Sequence, residues 1–140
     1  QTMFAEFVHQ THHMVETGRP LTVDSIRAAY RKLLEQFFGP EVELPEQADI
    51  ECLRIPHFYR AFYVYKYATG LSAAVTLSTR VTSGGSRERN DYLAFLKSGG
   101  SRYPLESLQL AGVDMSSPEP IRTAMQNFSE RLTQLEQLIK

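Results

Sequence analysis

S-P-E-P-I-R-T-A-M-Q-N-F-S-E-R-L-T-Q-L-E-Q-L-I-K, residues 117–140, is the clearest amphipathic helix in the sequence. Ile121, Met125, Phe128, Leu132, Leu135 and Ile139 recur at alternating steps of four and three. At about 3.6 residues per turn, that spacing gathers all six on one stripe of an α-helix. Ser117 is placed to cap the helix, and Pro118 stands at its first position, where a missing N–H is harmless. Three heptads are too few to claim a coiled coil.

The same period recurs outward from this helix. Met3, Phe4, Phe7, Val8, Thr11, Met14 and Val15 line one face of a first helix, which Gly18 and Pro20 end. Thr22 is expected to cap a second helix, with Asp24 favouring the dipole in its first turn and Leu21 and Ile26 forming a hydrophobic staple. This helix carries Ile26, Ala29, Tyr30, Leu33, Leu34 and Phe37 and stops at Gly39-Pro40. An acidic loop between Pro40 and Pro45 leads into a short helix ending near Leu53. Pro56 opens the next element, and from His57 to about Thr82 only Gly70 interrupts a helical pattern, at a cost of ~1 kcal/mol. A close-packed neighbour or a kink there would account for the glycine. S-G-G-S at 83–86 and again at 98–101 reads as two flexible joints. Between them Ser86 is expected to cap a helix from Arg87 to about Lys97, with Tyr92, Leu93, Phe95 and Leu96 inward. Pro104 opens a short helix closed by Gly112. No segment alternates apolar and polar residues long enough to specify a strand. The expected fold is all-α, an irregular array of six or seven helices, with residues 1–140 forming a single helical region.

Composition excludes several function classes. The chain has 140 residues, 42% hydrophobic and 22% charged, with net charge -1 and no basic block. Nucleic acid and an anionic membrane surface are not expected partners. The most apolar run, Ala68 to Val75, is interrupted by Thr69, Gly70 and Ser72 and falls short of the ~20 residues of a membrane span. Cys52 is the only cysteine, so no internal disulfide forms, and a reducing, cytoplasmic setting is expected. Cys52 with His57 nearby is a nucleophile–base pair in composition only; a buried, inert thiol is the better reading. The chain opens at Gln1 inside a helical pattern, as expected of a piece cloned or cleaved from a longer protein.

Three further groups carry candidate chemistry. His9, His13 and Glu16 share a helix face beside His12, and imidazoles so spaced can bind zinc. However, H-Q-T-H-H-M-V-E is not H-E-x-x-H and lacks the adjacent glutamate base, so a solvated polar face is the expectation. The segment I-P-H-F-Y-R-A-F-Y-V-Y-K-Y-A-T-G-L-S carries His57, Tyr59, Tyr63, Tyr65 and Tyr67. Tyr59, Tyr63 and Tyr67 fall at steps of four. Phenols and an imidazole can donate hydrogen bonds to a developing oxyanion; an aromatic core is the competing reading. The glycine-bearing joints do not fit a phosphate loop.

The tyrosine-rich segment, I-P-H-F-Y-R-A-F-Y-V-Y-K-Y-A-T-G-L-S-A-A at 55–74, resembles the stretch after the zinc site in oligoendopeptidase F-type zinc peptidases, relatives of thimet oligopeptidase. Q-T-M-F-A-E-F at 1–7 and Y-L-A-F-L-K-S-G-G-S-R-Y-P-L-E-S-L-Q-L-A-G-V-D-M-S-S-P-E-P at 92–120 resemble the same family in the same order. The resemblance implies a C-terminal portion of a helical catalytic domain that hydrolyses oligopeptides in a deep channel. Its zinc would be held in the full-length parent by two His of H-E-x-x-H and a Glu, all upstream, so no metal ligand and no cofactor is expected in this piece. The resemblance assigns His57 and Tyr65 as catalytic donors to the scissile carbonyl, and Tyr59 and Tyr63 as substrate-binding, with Tyr63 an alternative in either role. The implied partners are an oligopeptide and the remainder of the catalytic domain, and the piece alone is expected to be inactive. The alternative is a non-enzymatic helical binding or interaction module.

Overall fold

A computed structural model describes residues 1–139; Lys140 lies outside the described residues. Among them are six α-helices, two 3-10 segments and no strand. The helices are α1 (Thr2–Glu16), α2 (Val23–Phe38), α3 (Tyr65–Ser83), α4 (Ser86–Ser98), α5 (Pro104–Leu110) and α6 (Glu119–Leu138). The 3-10 segments are Glu46–Leu53 and Pro56–Tyr59. The all-α expectation holds. The chain divides into two compact units, Gln1–Ala68 and from Thr69 onward, with the boundary inside α3.

In the first unit, α1 ends as its sequence dictates. Gly18 takes φ +75, Gly18 N–H donates to Val15 O and Arg19 N–H to Met14 O, the paired hydrogen bonds of a Schellman cap. Thr22 caps α2: its hydroxyl accepts from Ser25 N–H at 3.2 Å, and Ser25 Oγ accepts from Thr22 N–H at 2.9 Å. Phe7, Tyr30, Leu33, Leu34 and Cys52 are buried together, with Phe4 and Phe58 packed against them. Phe58 meets Phe7 at 4.8 Å and Phe4 edge-on at 5.1 Å between ring centroids. Each fully buried side chain of this size contributes roughly 1.5–3 kcal/mol by leaving water. Arg31 donates to the carbonyls of Pro45 and Leu44 and pairs with Glu35, fastening the acidic loop to α2. Val15, expected inward, is 56% exposed.

In the second unit, Ala73, Leu77, Ala111 and Val113 form the core, with Tyr92, Phe95, Leu108 and Met115 against it. Leu93 and Leu96 do not join them and stay exposed, because α4 turns only its Tyr92–Phe95 edge inward. The N-cap of α4 is Gly85 rather than Ser86: Glu88 reaches back to accept from Gly85 N–H at 2.8 Å. A Cβ on Gly84 would strike Arg80 O and the Glu88 side chain, so this S-G-G-S is a packed turn and not a loose joint. α3 runs unbroken through Gly70, where a Cβ would meet nothing within 4 Å. Close packing within this chain therefore does not explain that glycine. α6 buries Pro120 and Ala124, whereas Ile121, Met125, Phe128, Leu132 and Leu135 are all exposed. Its amphipathic stripe is present but has no cover within this unit.

Candidate functional site

The long helix expected from His57 to Thr82 is broken in two. Ile55 precedes Pro56 and is held extended (φ -76, ψ 113), as a residue before proline must be. Pro56 then opens a single 3-10 turn, Pro56–Tyr59, which ends at an extended Arg60. Residues 60–64 form a non-helical turn, and α3 begins only at Tyr65. The physical reason is tertiary. Phe58 packs into the first core while Val64 is also buried, at 1% exposure. On one continuous helix these positions would point about 120° apart. At the pivot, Phe62 adopts φ +52, the one left-handed non-glycine among the described residues. That conformation costs an L-residue about 1–2 kcal/mol.

The break brings Tyr63 back to His57. Their rings stack with centroids 5.9 Å apart and planes 29° from parallel. On a straight helix six residues would separate them by about 9 Å along the axis. Tyr67, one turn into α3, meets both rings edge-on, at 6.3 Å from His57 and 5.8 Å from Tyr63. Its hydroxyl donates to the Tyr63 hydroxyl at 3.5 Å, the outer limit of such a bond. That bond, then partial burial, holds the Tyr67 phenol above its ordinary range. Two cations overlie the Tyr63 ring, Lys66 Nζ at 5.2 Å and Arg60 Cζ at 5.9 Å. Pro56, His57, Arg60 and Tyr63 line a small open hollow of about 200 Å³. The result is an aromatic face with one imidazole, two phenol hydroxyls bonded to each other and a positive rim. Such a face suits peptide carbonyls and carboxylates.

The other two expected residues sit differently. Tyr59 is 77% exposed, and its hydroxyl donates to Leu53 O at 2.8 Å. Tyr65 opens α3 and is 49% exposed. Because residues 60–64 leave the helix, Tyr59, Tyr63 and Tyr67 do not form one helical stripe. Tyr67 was named from sequence within the candidate segment but given no role of its own, and Arg60 and Lys66 were not singled out.

Among the N-terminal histidines, His9, His13 and Glu16 are exposed as expected, but His12 is half-buried. Its Nδ1 lies 2.7 Å from Val8 O, and since a carbonyl only accepts, Nδ1 carries the proton in that bond. Its ring lies 4.4 Å from that of Phe62. Placing His12 on the solvated face is thereby corrected. The described residues contain no group of three or more His, Cys, Asp or Glu able to hold a metal ion. Cys52 is 5% exposed, and burial pushes its thiol up, away from thiolate chemistry.

Residues 1–127 match the profile of Peptidase family M3, and the chain belongs to that family. It is 45% identical over 139 residues to Oligopeptidase PepF of Bacillus subtilis (strain 168), covering 99% of this chain and 21% of that protein. It is 39% identical over 140 residues to an Oligoendopeptidase F homolog of Borreliella burgdorferi, covering 100% of this chain and 24% of the relative. The fold superposes on the crystal structure of oligoendopeptidase-F from Enterococcus faecium with a TM-score of 0.92 and 42% identity, covering 99% of this chain and 27% of that one. The chain thus spans between a fifth and about a quarter of the length of these relatives. No helix among the described residues is long and apolar enough to cross a membrane.

Proposed function

We propose that this chain is the substrate-facing part of a zinc-dependent oligoendopeptidase, and that residues 57–67 line its peptide channel. The supporting observation is the His57–Tyr63–Tyr67 ring cluster beside the open hollow, rimmed by Arg60 and Lys66. A simple apolar core has no use for an imidazole and several phenols gathered at a surface. In this reading His57 and Tyr65 donate to the scissile carbonyl as negative charge develops on it. Tyr59 and Tyr63 hold neighbouring peptide groups. Donors fixed before reaction stabilise that charge without reorganising, and loss of one typically costs about 2.7–4 kcal/mol of transition-state stabilisation.

Zinc, which the resemblance implies, finds no ligand set among this chain's described residues. Its ligands belong, in this reading, to the remainder of the catalytic domain, so this piece alone is inactive; the single cysteine is what supports a cytoplasmic parent. The exposed stripe of α6 suits docking against that remainder, because a contiguous apolar face left in water calls for a partner. The same stripe also favours the second reading, a non-enzymatic helical interaction module. An H-E-x-x-H motif upstream of Gln1 in the parent reading frame supports the peptidase; its absence supports the module. The catalytic assignment is tested by Tyr65→Phe in the parent enzyme, which removes one hydroxyl and keeps the ring.

A further inference from the structure

Phe62 is the pivot of residues 60–64, and it is an expensive choice for one. At φ +52 a glycine would sit without strain, whereas a bulky side chain there is a true outlier. Strained residues of this kind persist where their surroundings over-determine them, and they cluster at functional sites. The surroundings are visible. The Phe62 ring lies against His12 with centroids 4.4 Å apart and planes 42° from parallel. His12 is itself fixed, since its Nδ1 donates to Val8 O at 2.7 Å and Val8 is 3% exposed on α1. A ring anchored to a packed helix therefore meets the left-handed residue. The very next side chain, Tyr63, stacks on His57, and the one after, Val64, is buried.

We propose that His12 and Phe62 are positioning residues, whose contact holds residues 60–64 in the left-handed turn and so sets Tyr63 against His57. The inference rests on the reading of residues 57–67 as the substrate-facing site. It gives α1, which carries no group of that site, a part in the geometry of the reaction.

The test uses the full-length parent peptidase with His12→Ala, Phe62→Gly and Phe62→Tyr, assayed on an internally quenched fluorogenic oligopeptide. Phe62→Gly is the informative variant because it relieves the backbone while removing the ring. A merely structural role leaves its melting temperature equal or higher and its turnover intact. A positioning role lowers kcat in His12→Ala and Phe62→Gly by about tenfold or more with KM within about threefold, and Phe62→Tyr restores it. Amide hydrogen exchange over residues 60–64 should rise about tenfold in the same two variants, with α2 unchanged as the internal control. Unchanged exchange, or kcat within about threefold of wild type in both variants, overturns the proposal. If His12→Ala unfolds, as loss of α2 protection would show, Phe62→Gly alone decides. Tyr63→Phe and Tyr65→Phe are run alongside. A fall in kcat there but not in the His12 and Phe62 variants removes the positioning role and leaves the site standing. No fall in any of these variants, nor in Tyr59→Phe, removes both.

Discussion

The hydroxyl of Tyr67 lies 3.5 Å from that of Tyr63, and both rings border the imidazole of His57. The pairing has a titration consequence. Donation to Tyr63 stabilises the neutral Tyr67 phenol, so its proton is lost above the ordinary phenol value of about 10. Spectrophotometric titration of the parent protein, with Tyr67→Phe subtracted to isolate this residue, should place Tyr67 above that value. Tyr63→Phe should bring it down. A Tyr67 transition unmoved by Tyr63→Phe would show that the two hydroxyls do not interact in solution.

Tyr30 supplies a second pH prediction, on stability. It is fully buried, at 0% exposure, and its hydroxyl donates to Glu51 Oε2 at 3.1 Å. Burial first, and then the Glu51 charge, raise its phenol far above the ordinary range. A raised folded-state value means that the native protein keeps a proton the unfolded chain gives up. The contribution is thus complete below about pH 10 and is lost as pH rises toward the folded-state value. Urea midpoints should fall steeply above pH 10, and Tyr30→Phe should flatten that fall while costing about 1 kcal/mol at neutral pH. Equal alkaline slopes in the two proteins would contradict this.

Two glycines should respond to alanine in opposite directions. Gly112 caps α5 at φ +77, with the Arg80 guanidinium packed where a Cβ would stand and Arg80 Nε donating to Ala111 O at 3.2 Å. Gly112→Ala should destabilise by about 1–2 kcal/mol from the backbone alone. Gly70 lies within α3 with open space about it, so Gly70→Ala should stabilise by roughly 0.5–1 kcal/mol. Thermal melts of the two variants shifting in the same direction would refute the contrast.

Much of this fold is legible in sequence because its signals are local. Thr22 before an apolar period, Gly18 and Gly112 after one, and Pro104 at a helix start each act through backbone chemistry within a few residues. What was not legible depends on contacts made at a distance. Nothing in residues 57–82 except Gly70 opposes a helix, yet the packing of Phe58 and the burial of Val64 break it. Periodicity marks Leu93 and Leu96 as apolar but cannot say which edge of α4 finds a core. The candidate site divides the same way. The density of His57 and the tyrosines is visible in the string, whereas the stacking of Tyr63 on His57 and the seating of His12 against Phe62 exist only once the turn at 60–64 is formed.

We propose that residues 57–67 serve the transition state of peptide hydrolysis. The most direct test is the steady-state kinetics of Tyr65→Phe in the full-length parent. In this variant kcat and kcat/KM should fall together by roughly 10²-fold or more, with KM nearly constant and the melting temperature unchanged. A kcat within about threefold of wild type, a change below ~0.7 kcal/mol, contradicts the role given to Tyr65. The same result for Tyr59→Phe and Tyr63→Phe would make these tyrosines packing residues and contradict the site as a whole.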